Sequence, residues 1–148
     1  MTLSKVDEIR TKQLEARKAK DVLQSSLLST LIGAIEKKSK NLQPVRDLTD
    51  DEVVAEIKSM MKGVRETIDA LRDTGRDEAK LYASQEWVVL NSLLPSQMTE
   101  DEIKAFARKC VARGAKSVGE VMKYFKVEKT GLYDGKAASD AANEALNT

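Results

Sequence analysis

Between Lys104 and Lys136 nine basic residues (Lys104, Arg108, Lys109, Arg113, Lys116, Lys123, Lys126, Lys129 and Lys136) stand against three acidic ones, Glu120, Glu128 and Asp134. A local excess of this kind can neutralise phosphates, because each cation that meets a phosphate releases a condensed counterion. At 100° per residue, Lys104, Arg108, Lys109 and Arg113 project away from an Ile103/Cys110 apolar stripe, as on a helix whose other side packs inward. On charge alone, a solvated helix face explains the pattern equally well. Residues 51–100, with ten acids and six bases, would repel the same ligand.

Four other features have the residue types for chemistry. Gly131-Leu132-Tyr133-Asp134-Gly135-Lys136 is a glycine-flanked turn feeding a helix start, a form that can hold a phosphate on outward-pointing amides. Asp134 at the cap position competes for those amides. The acid pairs Asp50-Asp51 and Asp101-Glu102 have the look of catalytic carboxylates, but they fall in helix first turns, where the helix dipole alone accounts for them. Cys110 lies on an apolar stripe with no histidine anywhere to activate it, which makes it a packing residue. Trp87, on an amphipathic helix, reads as packing between lobes rather than as a stacking platform.

The composition narrows the classes further. With no histidine and one cysteine in 148 residues, no His/Cys metal cage can be assembled, and the commonest acid-base group near neutral pH is missing. Walker and dinucleotide-binding fingerprints are also missing. We therefore expect no metal, no cofactor and no catalytic residues. The most apolar run, Leu27 to Ile35, is interrupted by Ser29, Thr30 and Gly33, so no membrane span is expected, and a single cysteine suits a cytoplasmic location. Only 4% of residues are aromatic, which favours packed helices of Leu, Ile, Val, Met and Ala over a sandwich of strands.

The elements that must position these residues are organised around Leu93-Leu94-Pro95-Ser96-Gln97-Met98-Thr99-Glu100-Asp101-Glu102. Proline stops one helix, and Thr99 with Glu102 starts the next as a capping box, flanked by Met98 and Ile103 as a hydrophobic staple. This predicts an all-α chain of two lobes: residues 1–95 with about four helices, and residues 96–148 with three. In the first lobe, residues 3 to about 39 carry helical spacing through Leu3, Val6, Ile9, Val22, Leu27, Leu31 and Ile35. Asp21 caps a second helix there. Thr49 and Glu52 form another capping box, opening a helix that should run to Gly75; a fourth spans Asp77 to Leu94, with Ala79, Tyr82, Ala83, Val89, Leu90 and Leu93 on its apolar side. In the second lobe a helix stops at Gly114. Ser117 and Glu120 spell a further capping box, and Asp134 caps an alanine-rich last helix.

Taken in order, LTDDEV from Leu48, TGR from Thr74, LLPSQMTEDEI from Leu93, GAKSVGEVM from Gly114 and GLYDGKAAS from Gly131 resemble the YqeY-like family. The family is also similar to the tail domain of the GatB subunit of aspartyl/glutamyl-tRNA amidotransferase. The resemblance covers nearly the whole chain and implies a helical lobe followed by a three-helix lobe. It further implies a non-catalytic module that helps an amidotransferase, a carbon-nitrogen ligase with glutamine as amido-N-donor, to hold tRNA while the chemistry proceeds in other subunits. Gly119, Val121 and Met122 match one family segment, and Gly131, Asp134, Gly135 and Lys136 match another. Where the family turn usually carries arginine, this chain has Leu132, and Gln24-Ser25-Ser26 and Ser29-Thr30 stand where basic residues are usual; both lower the expected RNA affinity.

The expected partner is tRNA or another RNA, engaged through Lys104, Arg108, Lys109, Lys123, Gly131, Asp134, Gly135 and Lys136, with amidotransferase subunits as further partners. The alternative is a helical protein-interaction module in a divergent, for instance virus-borne, family member. It is motivated by the near-neutral charge and the Met60-Met61 and Val88-Val89 doublets on long helices.

Overall fold

The computed structural model describes residues 4–148, and those residues hold seven helices and no strand. Leu3 lies outside the described residues. The chain divides into two compact units, Met1–Leu94 and Pro95–Thr148. Among the described residues, no helix is long and apolar enough to cross a membrane.

The first unit holds α1 (Lys5–Lys18), α2 (Val22–Lys40), α3 (Asp50–Ala70) and α4 (Asp77–Ser92). α1 packs on α2 and α3 on α4, and α2 touches both α3 and α4. The α1/α2 break occurs where the apolar pattern thins: Lys20 takes φ +59°, and the Asp21 carboxylate accepts from the Gln24 amide at 3.0 Å. Thr49 and Glu52 form a complete capping box, and the Glu52 carboxylate also meets Arg46 at 2.7 Å. The core is aliphatic, with Ile9, Leu28, Leu31, Val53, Ile57 and Leu90 all at 0% exposure. Burying one such side chain contributes about 1.5–3 kcal/mol.

Several expectations need correction here. α3 ends at Ala70 rather than Gly75. Leu71 is its C-cap, and a turn through Thr74, whose hydroxyl donates to the Leu71 carbonyl at 2.9 Å, fills the gap before Gly75 takes φ +73°. α4 ends at Ser92, two residues short of Leu94. Val22 is 75% exposed, Tyr82 is 47% exposed and Ala79 also faces outward, so none of these belongs to the core. Trp87 is half-buried against this unit's own cluster, and the Arg65 guanidinium lies 5.4 Å from its ring.

The second unit holds α5 (Glu100–Ala112), α6 (Val118–Glu128) and α7 (Gly135–Leu146). Its core joins Ile103, Phe106, Ala107 and Cys110 to Val121, Phe125 and the buried alanines of α7. Small alanines let α7 lie close against α5, its most extensive neighbour. Phe125, at 0% exposure, stands 4.7 Å from the Phe106 ring and 4.9 Å from that of Tyr133. Thr99 and Glu102 form the second complete capping box, and Met98 packs into the same cluster as Ile103, as a staple requires. The Ser117 device is only half a box. Ser117 accepts from the Glu120 amide at 3.2 Å, but the Glu120 carboxylate takes the Lys116 amide at 2.5 Å instead of that of Ser117.

Candidate nucleic-acid interface

The glycine turn is held from below by the segment that leads into α5. The Met98 amide donates to the Leu132 carbonyl at 2.7 Å, and Gln97 Nε2 donates to both the Gly131 and Pro95 carbonyls at 2.9 Å. The Leu132 amide in turn donates to the Lys129 carbonyl at 3.0 Å, closing the end of α6. Gly131 takes φ +75°, a left-handed conformation that glycine adopts without a Cβ clash. Sequence reasoning missed Gln97. Its only signal was a polar residue just before the staple.

Asp134 caps α7, its carboxylate accepting from the Ala137 amide at 2.9 Å, so one of the helix's orphan amides is already satisfied. Gly135 and Lys136 are exposed in the first turn. A cation there opposes the positive end of the dipole, so Lys136 adds nothing to helix stability. The Met98–Leu132 bond also brings the first turn of α5, with Glu100, Asp101 and Glu102, to this same end of the unit. Gly131, Asp134, Gly135 and Lys136 therefore sit together, with acids for company.

The α5 cations divide. Lys104 and Arg113, nine residues apart, lie about 180° from each other around the helix, so the four do not share one face. Lys104 meets Glu100 at 3.5 Å. Arg113 meets Glu128 of α6 at 2.8 Å, and its guanidinium carbon lies 4.4 Å from the Tyr124 ring centroid, within cation-π range. The Glu128 hydrogen bond is the largest influence raising the Arg113 pKa. Arg108 and Lys109 flank the outward direction, exposed and without a carboxylate partner among the described residues. Lys116, Lys123 and Lys126 are likewise exposed and unpaired along α6 and its approach. Lys129 lies 5.3 Å from the Phe106 ring. Glu100, Asp101 and Glu102 in the first turn of α5, with Asp140 and Glu144 on α7, offset the excess there, so the unpaired cations are those of the later turns of α5 and of α6 with its approach.

Lys123 and Arg113 also line a groove of about 450 Å³ with Gly114, Glu120, Tyr124 and Val127. Cys110 is fully buried, and burial pushes its thiol pKa up, away from the reactive thiolate. Among the described residues, no group of three or more His, Cys, Asp or Glu side chains is placed to hold a metal ion.

The fold and this surface define an all-helical protein of two units, the second carrying unpaired cations on the outer sides of two neighbouring helices. The chain belongs to the YqeY-like family, whose model, described as Yqey-like protein, matches residues 6–146. Among curated proteins no sequence matches it.

Proposed function

We propose that this protein is a helical RNA-binding accessory module, related to the tail of the amidotransferase GatB subunit and engaging tRNA through the second unit. The observation that carries the reading is the set of exposed, unpaired cations on α5 and α6, Arg108 and Lys109 on the first and Lys123 and Lys126 on the second. Family membership supports it. Chemistry on the amide and the ester belongs, in this reading, to partner subunits. Lys136 and the glycine turn contribute less than the helix surfaces, because the acids of α5 stand at the same end. Electrophoretic mobility shift with tRNA at two salt concentrations tests the reading. Binding should weaken steeply with salt, and Arg108→Ala should weaken it further. No shift even at the lower salt contradicts it.

A second reading rests on α4, where Leu81 and Val88, seven residues apart on one side, are 60% and 63% exposed. Apolar residues at this spacing suit docking to a helical partner protein. Here Leu81→Asp should abolish co-purification with the amidotransferase subunits and leave tRNA binding unchanged. Unaltered co-purification removes this reading.

A further inference from the structure

The groove between α5 and α6 contains an arrangement that the surface cations do not explain. Arg113 is fixed on two sides: one edge is held by Glu128 at 2.8 Å, and one face lies over the Tyr124 ring at 4.4 Å. Glu128 cancels its charge, so Arg113 adds little long-range attraction. What remains is a flat, weakly hydrated plate, set against the Tyr124 ring and with 46% of the side chain exposed to a stacking partner. The groove's remaining carboxylate, Glu120, is engaged by the Lys116 amide. Among the described residues of the lining, Lys123 is the one side-chain cation without a carboxylate. The volume of about 450 Å³ lies in the range of small-ligand sites.

A stacking plate beside a single free ammonium matches the two parts of a nucleotide, an aromatic base and a phosphate. Guanidinium planes take bases that have left the helical stack, whereas bases inside a duplex have both faces covered. We infer that this groove binds one unpaired nucleotide of RNA, with its base stacked on Arg113 and its phosphate paired with Lys123. The inference rests on the RNA-binding reading above and adds to it a preference for single-stranded segments.

The two roles separate in one experiment on the full chain. Fluorescence anisotropy is used to follow a short labelled single-stranded oligoribonucleotide and a perfectly paired RNA duplex, each across a salt series. Arg113→Lys keeps the charge and removes the plate. It should weaken single-strand binding roughly tenfold, the size of one base stack, with the salt slope and duplex binding unchanged. Lys123→Ala should instead lower the salt slope for the single strand by about one. Circular dichroism of each variant checks that the helices persist. Should Arg113→Lys prove poorly folded, Lys123→Ala carries the test, and an unchanged single-strand salt slope in that variant overturns the assignment. Equal losses on single strand and duplex, or no loss with Arg113→Lys, overturn the groove assignment and leave the RNA-binding reading standing. No binding of either RNA at low salt overturns both. Retention of a carboxylate-terminated peptide in place of RNA would assign the groove to a protein partner and likewise overturn the inference.

Discussion

The amide of Met98 and the carbonyl of Leu132 meet at 2.7 Å, joining the entry of α5 to the turn that opens α7. Gln97 doubles the join through Gly131. One end of the second unit thus carries both helix starts, with the first-turn acids Glu100, Asp101 and Glu102 of α5 at the same end as Lys136. This is why anion binding is assigned to the outer sides of α5 and α6 rather than to the turn.

Gln97 is half-buried and bonds two carbonyls with one amide group. Gln97→Ala leaves the partly buried Gly131 carbonyl short of its side-chain donor, and the loss should destabilise the second unit by about 0.5–1.5 kcal/mol. Urea unfolding followed by circular dichroism should show a lower midpoint than for Ser96→Ala, whose side chain is exposed. Equal midpoints would mean that the side-chain join contributes nothing.

The Glu52 carboxyl is held down to about 2, first by the Arg46 hydrogen bond and then by the Thr49 amide, against an ordinary value of 4.5. Because the folded pKa is depressed, the stabilisation is fully present above about pH 4.5 and is lost as pH falls toward about 2. Glu52→Gln retains an oxygen for Thr49 but loses the charge. Its stability deficit against the parent should be clear at neutral pH and should shrink through that window. A deficit independent of pH would show that the ion pair is not its source.

Cys110 is at 0% exposure, and burial is the main cause of its raised thiol pKa. A thiol reagent at neutral pH should therefore modify the native protein only as fast as it opens, and should react at once in denaturant. Prompt modification of the native protein would contradict the packing of α5 against α6 and α7.

Local chemistry made much of the fold legible. Thr49, Thr99, Asp21 and Asp134 cap where their sequence neighbours predict, since a cap needs only the next three residues. The end of α3 was not legible, because Gly75 advertises a left-handed stop while Leu71 to Thr74 close the helix earlier. Tyr82 and Val22 share the helical spacing of the core yet lie outside it, because spacing alone does not say which neighbours exist. The basic segment was visible as composition. Its division into paired and unpaired cations was not, since Arg113 depends on Glu128, fifteen residues away, and on the Tyr124 ring. The role of Gln97 was hidden for the same reason, its second partner lying 34 residues on.

The salt dependence of tRNA affinity is the most direct measure of whether the outer cations of α5 form an RNA surface. The parent protein should show a log-log slope that falls by roughly two in the double variant Arg108→Ala/Lys109→Ala, one unit for each phosphate that is no longer neutralised. An unchanged slope in a folded double variant would contradict the account.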